Sequence, residues 1–165
     1  MRLDHFDGYW NQDFQNPGLK DITYLFRSKC LYGITGKVGS GKSGLLAAIL
    51  GEIPYYSGKL CVSGSIAYVE QEPVIFSDTV KNNITYGKPF NQRLYEEAVR
   101  ISCLVSDFQL LDKGDQTMVG EKGTTLSGGQ KARLALARAI YADADIYIMD
   151  DPISAVDAKV AKDIF

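Results

Sequence analysis

The chain has 165 residues, enough for one domain with a hydrophobic core, and its 45% hydrophobic content is typical of an ordinary globular protein. A formal net charge of −2, with acidic and basic residues interspersed, argues against nucleic acid or lipid as the main partner. The longest aliphatic run, residues 45–50, is far shorter than the roughly 20 residues of a membrane span, and the N-terminus does not resemble a signal peptide.

The three cysteines, Cys30, Cys61 and Cys103, are an odd number and show no CxxC spacing. Two of them lie in apolar stretches that look like strands, where a buried and reduced thiol is expected. The cysteine pattern therefore predicts a reducing, cytosolic environment.

The first part of the chain is predicted to contain short strands and one helix. Strands are expected at Ile22–Phe26 and Cys30–Thr35, flanking a turn, and are followed by a glycine-rich loop and a helix through residues 45–50. Lys59–Val62 and Ile66–Val69 are expected to form a further strand pair joined by a short turn.

The second part is predicted to be mainly helical. Leu94–Ile101 has the pattern of an amphipathic helix, and apolar residues at i, i+3 and i+7 from Leu134 predict a helix that begins near Gly129. Ile146–Met149 is an apolar run that ends in two aspartates. Such a run is typical of a strand that is buried on both faces and has polar functional side chains at its carboxyl end.

Residues 36–43 read GKVGSGKS and match the phosphate-binding pattern GxxxxGK[ST] between a predicted strand and a predicted helix. Glycines let backbone N–H groups surround phosphate oxygens, and the helix directs its positive N-terminal end at the same anion. Lys42 would neutralise the β and γ phosphates, and the Ser43 hydroxyl would bind Mg²⁺. The alternative is a flexible glycine-rich turn, but a chance match in this context is rare. The predicted nucleotide-binding residues are Gly36, Lys37, Val38, Gly39, Ser40, Gly41, Lys42, Ser43 and Gly44.

Residues 126–130 read LSGGQ and resemble the signature of ATP-binding-cassette (ABC) proteins. The serine and the two glycines lie at the start of a predicted helix. Their hydroxyl and N–H groups, together with the positive end of the helix dipole, suit a γ-phosphate. The alternative is a helix cap with a glycine-rich entry. In the ABC family the signature of one domain closes over the ATP held by another domain, so the resemblance implies a second nucleotide-binding domain as partner. The signature residues are Leu126, Ser127, Gly128, Gly129 and Gln130.

Three further motifs resemble those of the family. Gln71, in YVEQ, would contact Mg²⁺ or the attacking water, and the residues after it would contact a membrane domain; Glu70 departs from the usual proline. Asp150, after a buried strand, would bind the metal. Residues 154–157, SAVD, resemble the D-loop, with Asp157 at its end. The alternatives are a solvated glutamine at position 71 and a helix-capping turn at Asp157.

Trp10 resembles the aromatic residue that stacks on adenine in this family. An aromatic ring suits this role because flat polarisable rings stack on any base. Tyr9, Phe6 and Phe14 lie close by in the sequence. The alternative is an aromatic cluster that covers the core at the start of the chain.

Nearly the whole chain is similar to the first nucleotide-binding domain of C-subfamily, multidrug-resistance-associated ABC transporters. Asp151 follows Asp150, where a hydrolytic site usually carries glutamate, so we expect slow hydrolysis and no turnover by the isolated chain. Gly44 keeps only a backbone N–H where related loops carry a hydroxyl. The family also uses a histidine downstream of the D-loop, whereas the one histidine here is His5.

The resemblance implies an α/β fold: a P-loop NTPase core with a mostly parallel sheet, an N-terminal antiparallel β subdomain and a helical signature subdomain at about residues 72–128. Because the sequence stops at Phe165 inside a predicted helix, residues 1–165 are expected to be one partial nucleotide-binding domain from a truncated gene model or fragment.

The implied function is an ATPase domain that binds Mg-ATP and couples ATP-driven dimerisation to transport through transmembrane domains at the cytoplasmic face of a membrane. A second possibility is a nucleotide-gated regulatory module of a channel-like ABC protein with little hydrolysis. A third is an ABC protein of translation or DNA repair without membrane domains, which the segment after Gln71 and the C-subfamily resemblance disfavour.

Overall fold

The computed structural model describes residues 1–12, 14–121 and 123–152, and the chain divides into two compact units that meet in sequence between Ser63 and Gly64. The first unit contains β1 (Arg2–Tyr9), β2 (Leu19–Leu25), α1 (Lys42–Leu50) and β3 (Tyr55–Cys61). The second contains β4 (Ile66–Val69), β5 (Asp78–Thr79), α2 (Val80–Thr85), α3 (Gln92–Ile101), α4 (Val105–Leu110), a 3-10 helix (Gly114–Gln116), β6 (Met118–Val119), α5 (Gly128–Tyr141) and β7 (Ile146–Met149).

The first unit is an antiparallel sheet packed with one helix. Its strand order is β2-β1-β3, and both pairs are antiparallel. Apolar residues from β1, β2 and α1 form the core, because alternate strand residues and one side of the helix face each other. The buried residues are Leu3, Phe6, Leu19, Ala47, Ala48 and Ile53. This sheet confirms the predicted antiparallel β subdomain at the N-terminus.

A bulge interrupts β1 near His5. The register against β3 shifts between Asp4 and Asp7, and His5 adopts a left-handed φ of 46°. Gly58, opposite the bulge, has φ 79°, and a Cβ at this position would lie 2.0 Å from the His5 carbonyl oxygen. Only glycine fits there, because both the conformation and the close approach of the two backbones exclude a side chain.

The bulge presents His5 to solvent, where it pairs with Asp21. The Nδ1 atom of His5 lies 2.7 Å from Asp21 Oδ1. This hydrogen bond and the charge of Asp21 raise the pKa of His5; burial acts in the opposite direction, and the charges of Asp4 and Asp7 add to the rise.

We expect an imidazole titration to show a raised pKa for His5, the one histidine of the chain. Because the pKa is raised on folding, the stabilisation by protonated His5 is complete below about pH 6.5 and is lost as the pH rises through the raised value. NMR of the imidazole signal measures this pKa directly. Asp21→Asn should move it back toward the ordinary value, and identical titrations of the variant and the wild-type protein would contradict the assignment.

In the second unit, β4 and β7 form a parallel pair, with Ile66 opposite Ile146 and Val69 opposite Met149. Asp145 fixes the start of this pair. Its Oδ2 accepts hydrogen bonds from the Ser65 N–H at 2.8 Å and the Ser65 hydroxyl at 2.9 Å. These bonds lower the pKa of Asp145, since they favour the charged carboxylate. The register of the pair is therefore set at its amino end.

Helix α5 packs on two sides. Ala135 and Ala139 contact the β4–β7 pair, and small side chains there let the helix approach the sheet closely. The opposite side lies in the largest core of the unit, which contains Val80, Ile84, Tyr95, Ala98, Val99, Leu104, Val119, Leu126, Leu134, Ala137 and Tyr141. This burial confirms the helix predicted from the spacing of Leu134. No helix within the described ranges has the length and apolar content of a membrane span.

The strand predicted at Cys30–Thr35 is not formed, and most of these residues are exposed. The segment makes local aromatic contacts instead. The Tyr32 ring lies 5.0 Å from the Phe26 ring, and its hydroxyl accepts a hydrogen bond from the Arg27 N–H at 2.7 Å. Gly33 also weakens a strand, because it brings conformational freedom and no side chain to pack.

The predicted pairing of the strands around residues 59–69 was also wrong. Both strands exist, but β3 pairs with β1 and β4 pairs with β7. The predicted burial of Cys30 and Cys61 was wrong as well: Cys30 lies in the exposed segment, and Cys61 is exposed at the end of β3, where residues alternate between faces. Strand β7 alternates too, so Tyr147 is exposed rather than buried.

Candidate nucleotide-binding site

The predicted phosphate loop turns around the ammonium group of Lys42. Lys42 Nζ donates hydrogen bonds to the carbonyl oxygens of Gly36 and Lys37, each at 3.0 Å. Gly39 and Gly41 adopt left-handed φ values of 77° and 90°, which glycine allows without strain. The loop therefore has the conformation of a closed turn, and its residues before Gly41 are exposed to solvent.

The loop leads directly into α1. Gly41 is the N-cap and makes no side-chain hydrogen bond, and the first turn carries no acidic residue. The first N–H groups of the helix and its positive dipole end therefore remain available for an anion. Ser43 is exposed in the first turn. At Gly44 a Cβ would lie 3.7 Å from Leu19 Cδ2, an ordinary contact distance, so a serine would fit there.

Trp10 and the start of α1 both contact the segment that begins β2. A Cβ at Gly18 would lie 3.0 Å from Trp10 Nε1, so the indole covers this glycine. A Cβ at Gly41 would lie 3.2 Å from the Gly18 carbonyl oxygen. Trp10 is 51% exposed, whereas Phe6 is buried in the core. Gly18 thus joins Trp10 to the phosphate loop, a contact that the sequence did not indicate.

Gln71, Asp150 and Asp151 follow the two strands of the parallel pair. The Asp150 N–H donates to the Val69 carbonyl oxygen at 3.0 Å, so the carboxyl ends of β4 and β7 meet at one edge. Asp150 follows β7 immediately, and Gln71 lies two residues beyond β4 and is exposed. Asp151 is exposed and has a left-handed φ of 48°. The tertiary structure therefore brings these three predicted residues to the same edge.

This edge offers oxygen ligands of the kind that Mg²⁺ prefers. The described residues contain no group of three or more His, Cys, Asp or Glu side chains that could hold a metal by themselves. One carboxylate, Asp150, and one amide, Gln71, fit the way Mg²⁺ binds beside nucleotides, where few protein ligands combine with phosphate oxygens. Ser43, the third predicted ligand, lies in the first unit.

The signature residues open α5 with a capping box. Ser127 is the N-cap, and its Oγ accepts a hydrogen bond from the Gln130 N–H at 3.3 Å. The Gln130 Oε1 accepts one from the Ser127 N–H at 2.9 Å. Leu126 is buried in the core, whereas Ser127 and Gly128 are exposed. The predicted helix cap is therefore present. In this conformation the N–H groups of the glycines lie at the surface.

A buried ion pair, which the sequence analysis missed, supports the signature. Asp107 is 5% exposed and accepts hydrogen bonds from Arg133 Nε at 2.7 Å and Nη2 at 2.8 Å. It also accepts one from Gln130 Nε2 at 3.3 Å. The only signal in the sequence is that Arg133 follows Gln130 by three residues, on the same side of α5. This pair ties the signature glutamine to α4.

The D-loop predicted at residues 154–157, including Asp157, lies outside the described residues. Within them, three local groupings hold the other predicted residues. These are the phosphate loop with Trp10 nearby, the edge with Gln71 and Asp150, and the opening of α5 with Ser127 and Gln130.

Comparison with known proteins shows which proteins this chain resembles. The chain is 48% identical over 165 residues to "ATP-binding cassette sub-family C member 4" of Mus musculus and 46% identical over 165 residues to the protein of that name of Homo sapiens. It is 48% identical over 167 residues to "Multidrug resistance protein mrp-7" of Caenorhabditis elegans. Each comparison covers 100% of this chain but only 11% to 12% of the relative, so the chain spans a small part of their length.

Residues 19–154 match the ABC transporter family, a range that includes the phosphate loop, the signature and both aspartates after β7. The similarity to the C-subfamily proteins extends over the whole chain. This chain therefore belongs to the ABC transporter family and is similar along its length to members of the C subfamily.

Proposed function

We propose that this chain binds Mg-ATP at residues 36–44 and couples ATP-driven pairing with a second nucleotide-binding domain to transport across a membrane. One observation carries the proposal. Helices α1 and α5 both begin with glycine and an exposed serine, Ser43 in α1 and Ser127 in α5, and neither has an acidic residue in its first turn. Each N-terminus suits a phosphate group. A cassette needs two such anion sites, one for its own nucleotide and one for the nucleotide of its partner.

The opening of α5 supports a site for the partner's nucleotide. The Ser127 oxygen accepts a hydrogen bond within the capping box, which leaves the hydroxyl proton able to donate to a phosphate oxygen. A Cβ at Gly128 would meet nothing within 4 Å, so the approach to the helix end is open. The signature therefore combines an ordered backbone with an accessible surface, as a surface that closes over a second molecule requires.

The position of Trp10 supports adenine stacking. Its half-exposed ring covers Gly18, whose carbonyl oxygen lies close to Gly41 at the start of α1. A base stacked on the indole would be held beside the phosphate loop. Bound Mg²⁺ would neutralise phosphate charge and orient the attacking water, with Ser43, Gln71 and Asp150 as its protein ligands.

Exposed apolar side chains after Gln71 support contact with a membrane domain. Val74 is 54% exposed, Phe76 41% and Tyr86 60%. Apolar side chains grouped in this way are typical of a surface that another protein covers. The proposed partner is a transmembrane domain, which would place this chain at the cytoplasmic face of a membrane.

The presence of aspartate at position 151 supports the proposal that ATP bound by this chain is hydrolysed slowly. A general base must lie within hydrogen-bond reach of the water, and the aspartate side chain is one methylene shorter than glutamate. The phosphate loop would then hold ATP for a long time, while the signature serves a site on the partner domain.

To test this, we expect Asp151→Glu to raise ATP turnover by about tenfold in the full transporter that carries this cassette, because a well-placed base contributes roughly 10² to 10⁴. Asp112→Glu lengthens an exposed aspartate on the surface and serves as the control. Unchanged turnover in Asp151→Glu would count against the slow-site proposal.

The same aspartate favours a second function, in which ATP binding gates a channel-like protein and hydrolysis is incidental. A non-hydrolysable ATP analogue distinguishes the two. Substrate flux sustained by the analogue would favour gating, whereas a single round of movement followed by arrest would favour ATP-driven transport.

A further inference from the structure

Arg138, which belongs to none of the sequence motifs, connects α5 to the segment that follows Gln71. Its Nε donates to the Asn83 carbonyl oxygen at 2.9 Å, its Nη1 to the Val74 carbonyl oxygen at 3.0 Å and its Nη2 to Asn83 Oδ1 at 3.1 Å. The rings of Phe76 and Tyr86 each lie 5.2 Å from its Cζ. One guanidinium therefore holds two carbonyl groups, an amide and two aromatic rings.

Asn83 extends this connection to the backbone of Phe76. It is almost fully buried, and its Oδ1 accepts a hydrogen bond from the Phe76 N–H at 2.9 Å. Its Nδ2 donates to the carbonyl oxygens of Phe76 and Thr79, each at 3.0 Å. The amide thus pairs with both the N–H and the carbonyl group of Phe76, as the backbone of a neighbouring strand would. We call Arg138 and Asn83 together the Arg138 clamp.

The charge next to Gln71 also acts on this clamp. Burial lowers the pKa of Arg138, whereas Tyr86 and the Glu70 carboxylate oppose that shift. Glu70 immediately precedes Gln71, at the position where the sequence departs from the usual proline. Arg138 is therefore held by hydrogen bonds to the segment after Gln71 and acts electrostatically on the residue before it.

The guanidinium of Arg138 has a role beyond packing. Burying a charged group costs more free energy than burying an apolar side chain of similar volume. The guanidinium instead provides directed donors in a rigid fork, so it fixes the orientation of the groups that accept from it. Two of those groups are the backbone carbonyls of Val74 and Asn83, and the third is the Asn83 side-chain amide; all lie three or more residues after Gln71.

We propose that Arg138 is a positioning residue that makes the signature helix and the segment after Gln71 move together. The inference rests on the proposed function, because it requires α5 to respond when Ser127 caps a nucleotide. Closing the signature over ATP would shift α5, and the Arg138 clamp would carry that shift to residues 74–79. The segment that faces a membrane domain would then respond to nucleotide bound at the other end of α5.

Hydrogen exchange of backbone amides in the full transporter carrying this cassette tests the proposal, with and without Mg-ATP. In the wild-type protein, we expect ATP to slow exchange about fivefold or more both at residues 127–130 and at residues 74–79. In Arg138→Lys, which keeps the charge and loses the fork, slowing should persist at 127–130 and be lost at 74–79. Affinity for ATP should not change, because Arg138 donates its hydrogen bonds to Val74 and Asn83 and to none of the proposed nucleotide or metal ligands.

Arg100→Lys is the matched control, since it makes the same change on the exposed side of α3 and should leave both responses intact. If Arg138→Lys does not fold, Asn83→Asp tests the same link, because it keeps the acceptor for Arg138 and loses both donors to the segment.

The outcomes separate the inference from the function on which it rests. No ATP-dependent slowing at 127–130 in the wild-type protein would overturn the proposed function, and the inference with it. Slowing at 127–130 without slowing at 74–79 in the wild-type protein would overturn the inference alone. Retention of the response at 74–79 in Arg138→Lys would do the same. A residue with a merely structural role would raise basal exchange without removing the ATP-dependent difference.

Discussion

Replacing Lys42 by alanine is expected to weaken binding of Mg-ATP by about 100-fold. Lys42 lies inside the phosphate loop, where its ammonium group contacts the carbonyl oxygens of Gly36 and Lys37. A hydrogen bond to a charged group contributes about 1.5–3 kcal/mol, and the lysine would serve two phosphates, so a loss of about 3 kcal/mol is reasonable. That loss corresponds to roughly two orders of magnitude in the dissociation constant.

Titration of the purified chain with a fluorescent ATP analogue, with and without Mg²⁺, measures this effect. Lys59→Ala is the control, because it removes an exposed lysine of the same unit from β3 and leaves the loop intact. Equal affinity of the Lys42→Ala and Lys59→Ala variants for the analogue would contradict the assignment of residues 36–44. Measurable binding by the wild-type chain that does not require Mg²⁺ would contradict the proposed metal ligands.

Replacing Asp107 by alanine is expected to lower the free energy of unfolding by about 3–5 kcal/mol. The carboxylate is buried and accepts hydrogen bonds from both Nε and Nη2 of Arg133, so the substitution removes a buried ion pair together with its two hydrogen bonds. The same change removes the acceptor for Gln130 Nε2. The loss should therefore reach the opening of α5 as well as the core.

Urea denaturation followed by circular dichroism measures this loss. Asp4→Ala removes the acidic partner of an exposed pair, in which Arg2 Nη2 lies 3.1 Å from Asp4 Oδ2. Surface pairs of this kind contribute little, so this control should change stability by less than about 1 kcal/mol. If the two variants lost similar amounts of unfolding free energy, the prediction that the Asp107–Arg133 pair stabilises the protein more than a surface pair would be wrong.

Several features of the site could be predicted because their chemistry is local. The phosphate loop is a run of eight residues in which glycines supply left-handed conformations and a lysine follows them, so Gly39, Gly41 and Lys42 take their places without help from distant residues. The capping box of Ser127 and Gln130 spans three residues for the same reason. The amphipathic helices were also predictable from the spacing of apolar residues.

Predictions that depended on partners distant in sequence were less successful. The segment around Cys30 has the composition of a strand but pairs with none of the described strands, since a strand forms only where a neighbour satisfies its backbone. Likewise β3 and β4 are adjacent in sequence yet pair with different strands. Composition indicates that a segment can form a strand, but it does not indicate which other strand that segment pairs with.

The sequence by itself determined the family, the phosphate loop, the signature and the aspartates after β7, because each depends on residue types at fixed short spacing. Only the tertiary structure decided that Gln71 and Asp150 share an edge, that Asp107 supports the signature, and that Arg138 holds the segment after Gln71. Those contacts join residues more than 20 positions apart, and a long-range contact is decided by how the strands and helices pack, which no short pattern of residues contains.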